Sequence, residues 1–277
     1  MAPLLALLSA AAMFVLAAAP AAASTPQFDP PKSFYLALGD SLAFGYQQYK
    51  FNANYPAEDP SVFSSGYVND FSAMLQAVNP SIQTVNFGCP GETTVTFLAG
   101  PCLYEAAGFP LHNGYSGAQM DAALNFLRDH PGQVSPITID IGADDVRACN
   151  FDPGCVPGAI ATVASNLSTI LSKLRATAPD AEIIVMTYYN PYALIDPSTN
   201  TGAEALNAAI SADAIAAGGR VADTFTPFNL AAAEPATLCA LTLMCTPLQD
   251  IHASDAGYMV IAQQFWSASD YSQLIEQ

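Results

Sequence analysis

Residues 33–42 read Ser-Phe-Tyr-Leu-Ala-Leu-Gly-Asp-Ser-Leu, an apolar run that stops at a glycine and gives way at once to a carboxylate and a hydroxyl. The run has no polar alternation over 33–38, the pattern of a strand buried on both faces and therefore of a parallel sheet covered by helices. Further short strand candidates, nearly continuous in apolar character, lie at 82–87, 137–141, 183–187 and, more weakly, 220–223. Between them the spacing predicts helices at 67–78, 118–127, 159–176, 203–216 and 255–266. In the third of these, Ile160, Val163, Ala164, Leu167, Ile170, Leu171 and Leu174 form a stripe at i, i+3, i+4 intervals that would face a sheet. Alternating strands and helices predict an α/β domain, a three-layer α/β/α sandwich on about five parallel strands. In such folds ligands bind at the carboxyl ends of the strands, so chemistry is expected just after each strand.

The 277 residues suffice for one sizeable core. Residues 1–23 are apolar and Ala-rich and close on Ala21 and Ala23 before Ser24, as a signal peptide does, although no Lys or Arg opens them. Pro20 interrupts the run, which falls short of the roughly 20 strongly apolar residues of a membrane span. The expected organisation is a cleaved segment 1–23 and one domain over 24–277, secreted to the extracellular medium and without stable membrane insertion. Seven basic against 24 acidic residues give a net charge of -17, which disfavours nucleic acid and anionic lipid as partners. A neutral small-molecule or lipid substrate suits that surface better. Nothing in the pattern demands an oligomer, and a monomer is expected.

Six cysteines fall in three close pairs, Cys89 and Cys102, Cys149 and Cys155, Cys239 and Cys245. In an exported chain this grouping suggests three local disulfides, although six cysteines allow 15 connectivities. With no CxxC and only His112, His130 and His252, the sequence gives no metal site.

Four segments carry the candidate chemistry. The first strand runs into Gly39-Asp40-Ser41-Leu42, and a serine there is a nucleophile only if a base can take its proton. No GxSxG elbow surrounds it, which argues against the α/β-hydrolase arrangement. The second strand ends in 86–93, Asn-Phe-Gly-Cys-Pro-Gly-Glu-Thr, where glycines could aim backbone N–H groups at a ligand. The third ends in 140–145, Asp-Ile-Gly-Ala-Asp-Asp. Near the end come Asp250-Ile251-His252 and Ser254, a cap for the following helix. In an extended segment residues two apart point the same way, so Asp250 could hold the His252 ring.

Together, and in this order, the four segments resemble the four blocks of the SGNH/GDSL hydrolases, over nearly all of the chain after residue 23. The resemblance implies a flavodoxin-like sandwich and a secreted serine esterase or lipase with no cofactor. It places the nucleophile at Ser41, the base at His252 and its orienting carboxylate at Asp250. Oxyanion donors would be Ser41 and Gly91, with Asp144 at the position of the family's asparagine. Two departures follow. The family often reads Asp-x-x-His, whereas Gln249 occupies that site here. Asp144 replaces an amide donor by a carboxylate, which when ionised repels an oxyanion, and losing one donor costs roughly 100- to 1000-fold in turnover. Two alternatives stay open: an esterase removing acetyl groups from carbohydrate, and a secreted binding protein weakened in catalysis at Asp144. Phe44, Tyr46, Tyr49, Phe51, Tyr55, Phe63 and Tyr67, in or next to the long loop 47–66, could stack on sugars or line an acyl groove.

Overall fold

The computed structural model of the protein describes residues 28–56, 59–150, 152–229 and 234–275. The expected signal segment lies outside them. Five strands form one parallel sheet: β1 Phe34–Gly39, β2 Gln83–Asn86, β3 Val134–Asp140, β4 Ile183–Met186 and β5 Arg220–Ala222, in the order β2-β1-β3-β4-β5. That is the flavodoxin-like order, whose topological switch point lies between β1 and β3. Every residue of β3 and of β4 is buried, including the polar Ser135, Thr138 and Asp140 of β3.

The main helices are α1 Tyr67–Val78, α2 Gln119–Asp129, α3 Val156–Thr177, α4 Asn200–Ala216 and α5 Asp255–Ser269. Helices α1 and α5 pack together, and so do α3 and α4. The stripe on α3 is buried at Val163, Leu167, Ile170, Leu171 and Leu174. Each sequence-predicted helix is present, with ends shifted by up to three residues.

Strand β3 begins three residues before its predicted start because Pro136 reads as a strand breaker. The register against β1 runs Phe34 to Val134 and then Leu36 to Ile137, so β3 carries one extra residue at this point. A bulge removes the need for a ladder N–H, and proline has none to give. Gly39 ends β1 at φ 140°, and a Cβ there would lie 2.3 Å from the Asp140 carbonyl oxygen. Glycine thus lets β1 and β3 approach at the carboxyl edge, where the candidate site lies.

All three bridges form between sequence neighbours: Cys89–Cys102, Cys149–Cys155 and Cys239–Cys245. A second, smaller apolar cluster sits beside the main core, built from Phe44, Phe63, Cys89, Cys102 and Leu111 with Tyr46, Phe51 and Tyr104 against it. Among the described residues no helix is long and apolar enough to cross a membrane.

Candidate active site

Strand β1 delivers Asp40 and Ser41 to the switch point. Asp40 caps the one-turn helix Ser41–Phe44, its Oδ1 accepting from the Leu42 N–H at 2.9 Å. Ser41 is therefore the first residue of a helix, where the backbone N–H has no intrahelical acceptor and points outward. Beneath it lies a buried carboxylate pair. Asp40 Oδ2 accepts from the Tyr188 hydroxyl at 2.6 Å, and Asp140 accepts from the Tyr67 hydroxyl at 2.5 Å and the Ala43 N–H at 3.2 Å. Burial and the charge of Asp140 raise the Asp40 carboxyl well above the usual range, and burial pushes Asp140 up to about 7. Two buried carboxylates this close disfavour each other's ionisation.

His252 arrives from the loop before α5. Its backbone carbonyl accepts from the Leu243 N–H at 2.9 Å, inside the loop closed by Cys239–Cys245. Ser254 caps α5 through the Gly257 N–H at 3.1 Å. The ring lies between two partners: Nε2 is 2.9 Å from Ser41 Oγ, and Nδ1 is 2.5 Å from Asp250 Oδ1. Asp250 also accepts the Gln48 N–H at 2.8 Å. Burial raises the Asp250 carboxyl, but the hydrogen bonds and charge of His252 and the Gln48 N–H outweigh it, so the group sits below the usual value. Gln249, at the site where the family often has its aspartate, takes φ 47° and turns the chain just before Asp250.

The second block is a tight turn. Glu92 N–H donates to the Cys89 carbonyl at 3.1 Å, with Pro90 and Gly91 as the central residues and Gly91 at φ 80°. A Cβ on Gly91 would meet nothing within 4 Å, so the backbone angle, not crowding, selects glycine here. Gly91 is absent from the wall of the cavity that Ser41, Asp144 and His252 line. Its turn is nonetheless fixed to the other blocks: Cys89 N–H donates to the Gly39 carbonyl at 3.0 Å, and Thr94 donates to Asp145 through its N–H at 2.8 Å and its hydroxyl at 2.6 Å.

Asp144 lies on the short helix Ala143–Arg147 and accepts from Arg147 Nε at 2.7 Å, a partner one turn away. Its i, i+3 spacing was the available signal. Three further residues had no local signal. Tyr188 reaches Asp40 across 148 positions, Gln48 reaches Asp250 across 202, and Gln119 clamps Gly39. In that clamp the Gly39 N–H donates to Gln119 Oε1 at 2.7 Å and Gln119 Nε2 donates to the Gly39 carbonyl at 2.9 Å.

A cavity of about 880 Å³ opens beside Ser41 and His252. Its wall is largely apolar: Val146, Pro153, Val156, Ile160, Tyr189 and Leu206 among others. The aromatic residues expected to form a groove mostly do something else. Phe44, Phe63 and Tyr67 are buried in the two cores, and of the seven only Tyr49 and Tyr55 are well exposed. Their loops fold onto themselves because ring-on-ring contacts such as Tyr46 with Phe63, centroids 5.6 Å apart, remove more apolar surface from water than an open groove would. Cys89, Glu92 and Cys102 have the spacing of a metal cluster, but the two sulfurs are bonded to each other and offer no thiolate.

The family model for GDSL-like lipases and acylhydrolases matches residues 37–260. Among solved structures, a protein described as a GDSL-like lipase from Parabacteroides merdae superposes with TM-score 0.59 at 15% identity, over 88% of this chain and 99% of its own. An acetylxylan esterase from Geobacillus stearothermophilus gives TM-score 0.55 at 20% identity, over 87% and 95%. An α/β hydrolase enzyme from the metagenome of Lake Arreo gives 0.55 at 18%, over 90% and 99%. At these identities the likeness is one of fold. Among curated proteins none matches the chain.

Proposed function

The chain belongs to the GDSL-like lipase/acylhydrolase family, a class of carboxylic ester hydrolases, and from that premise we propose that it cleaves esters through an acyl-enzyme on Ser41, outside the cell that makes it. The observation that carries the reading is the unbroken chain Asp250–His252–Ser41, at 2.5 and 2.9 Å. Asp250 holds the proton on Nδ1, which leaves the Nε2 lone pair facing Ser41 Oγ. His252 takes the Ser41 proton as Oγ adds to the ester carbonyl. It returns that proton to the departing alcohol, and the acyl-enzyme is then hydrolysed by water with the same base. The Ser41 and Gly91 N–H groups are the backbone candidates for the oxyanion, Ser41 by its place at a helix start and Gly91 by its turn. The mechanism calls on no metal or organic cofactor, and one domain over 24–277 acting as a monomer suffices for it. Three disulfides fit an extracellular protein, supporting export after removal of residues 1–23.

The cavity bears on the substrate. Its volume is that of a pocket for a sizeable organic ligand and its wall is apolar, which favours an ester with a medium or long hydrocarbon chain, a lipid-like substrate. Each methylene buried there contributes about 0.8 kcal/mol, close to fourfold in kcat/KM. A second reading, removal of acetyl groups from carbohydrate, draws on exposed Tyr49 and Tyr55 and on the acetylxylan esterase among the structural neighbours. Hydrolysis of p-nitrophenyl esters from acetate to palmitate separates them. Octanoate exceeding acetate at least about tenfold in kcat/KM supports the lipid-like substrate. A maximum at acetate, with release of acetate from acetylated xylan, supports the other.

A further inference from the structure

Among the described residues of the cavity wall, one carries a guanidinium or ammonium group, Arg147, and it is placed beside the residue that breaks the family pattern. Arg147 Nε donates to Asp144 Oδ1 at 2.7 Å, with the Asp144 side chain only 12% exposed and that of Arg147 54% exposed. The carboxylate thus holds the guanidinium at Nε on the cavity wall, with about half of the Arg147 side chain left exposed. A planar guanidinium held at Nε keeps four N–H groups on its two Nη atoms, and among the described residues these make no hydrogen bond. Ser41 and His252 line the same cavity. The remaining acidic groups on that wall are Asp40, which is buried and bound by Tyr188, and Asp196, which caps a turn through the Ser198 N–H.

We propose that the Arg147 guanidinium, oriented by Asp144, is the side-chain donor that stabilises the tetrahedral oxyanion, in the place an amide would fill. The proposal rests on the serine-esterase reading above. When Ser41 Oγ adds to the carbonyl carbon, the C=O π pair moves onto oxygen and the serine proton goes to His252. Arg147 forms and breaks no covalent bond in this step and transfers no proton; it donates hydrogen bonds to the new anion. Two effects act together. The Nη groups replace the missing amide donor, and the ion pair cancels the repulsion that an unpartnered Asp144 carboxylate would exert on the oxyanion. Asp144 is then a positioning residue, and its replacement by asparagine restores a donor at the same place, so the two routes are redundant.

The test compares kcat and KM on p-nitrophenyl butyrate for the wild type, Arg147→Met, Arg147→Lys, Asp144→Asn, the double variant Arg147→Met/Asp144→Asn, and Ser41→Ala, with melting temperatures to establish that each is folded. Arg147→Met is expected to lose about 100-fold in kcat with KM within about threefold, because the interaction is made only in the transition state. Lysine, a cation without the fork, should recover part of the loss. The double variant should exceed Arg147→Met by more than about tenfold in kcat, with Asp144→Asn as the fourth corner of the cycle, a non-additivity that a purely structural role would not produce. A folded Arg147→Met within threefold of wild-type kcat overturns the proposal, and so does a double variant no faster than Arg147→Met. Ester turnover persisting in Ser41→Ala overturns the acyl-enzyme on Ser41, and this proposal with it.

Discussion

At the scale of single residues, one carboxylate does two jobs at the His252 ring. Asp250 Oδ1 accepts both the ring Nδ1–H and, at 3.2 Å, the backbone N–H of the same histidine, so the ring is fixed in direction as well as in tautomer. Because its carboxyl lies below the ordinary range, Asp250 stays ionised at and above mildly acid pH. Asp250→Asn removes the charge and permits the wrong tautomer, and kcat is expected to fall by roughly 1000- to 10,000-fold with little change in melting temperature. Steady-state kinetics on one short-chain ester decide this, and a loss under tenfold would show that the carboxylate is dispensable. The Asp250–His252 relation was legible in sequence because the two are adjacent on an extended segment. Asp144 and Arg147 stand at helical i, i+3 spacing, a pairing equally visible in the sequence. The hydroxyl of Tyr188 on Asp40 was not legible, since nothing local marks a contact over 148 positions.

At the scale of elements, the strands could be read because a sheet covered on both faces demands continuous apolar runs, and the helices because their stripes repeat at 3.6 residues. What escaped was the geometry of irregular segments: the proline bulge in β3, the loops that bury their own aromatic rings, and the cavity wall formed around 146–160 and 188–206. The carboxyl edge is also held by side-chain amides that copy a backbone ladder. Gln119 clamps Gly39, and Asn207 clamps Tyr188 with two bonds of 2.8 Å. Gln119→Leu leaves the buried N–H of Gly39 unmet at about 1 to 3 kcal/mol, while the Gly39 carbonyl keeps the Cys89 N–H. Because Gly39 directly precedes Asp40 and Ser41, the variant should both melt lower and turn over more slowly. Thermal unfolding and kcat measured on the same preparation test this, and an unchanged melting temperature would contradict the role given to the clamp.

At the scale of the whole molecule, the acidic balance and the buried carboxyls set the response to pH. Burial pushes Asp140, Glu92 and Glu182 each up to about 7. A carboxyl raised on folding binds its proton more tightly in the native state than in the unfolded chain. Stability from these groups is therefore full near pH 4, where the unfolded carboxyls begin to lose protons, and is lost as pH rises through about 7. Asp250 acts with the opposite sign, but only below the ordinary carboxylate range. The net charge of -17 adds self-repulsion in the same direction as the buried acids. Melting temperature is thus expected to peak between about pH 4 and 5 and to decline toward pH 8; a rise over that interval would refute the assignment. Across the same molecule, the central claim is that residues 211 positions apart, Ser41 and His252, make one nucleophile and base. The most direct measurement is labelling of the full chain with a fluorophosphonate followed by mass mapping of the modified peptide. The account predicts one adduct, on Ser41, formed by the wild type and lost in His252→Ala; an adduct on another serine, or labelling of Ser41 undiminished without His252, would contradict it.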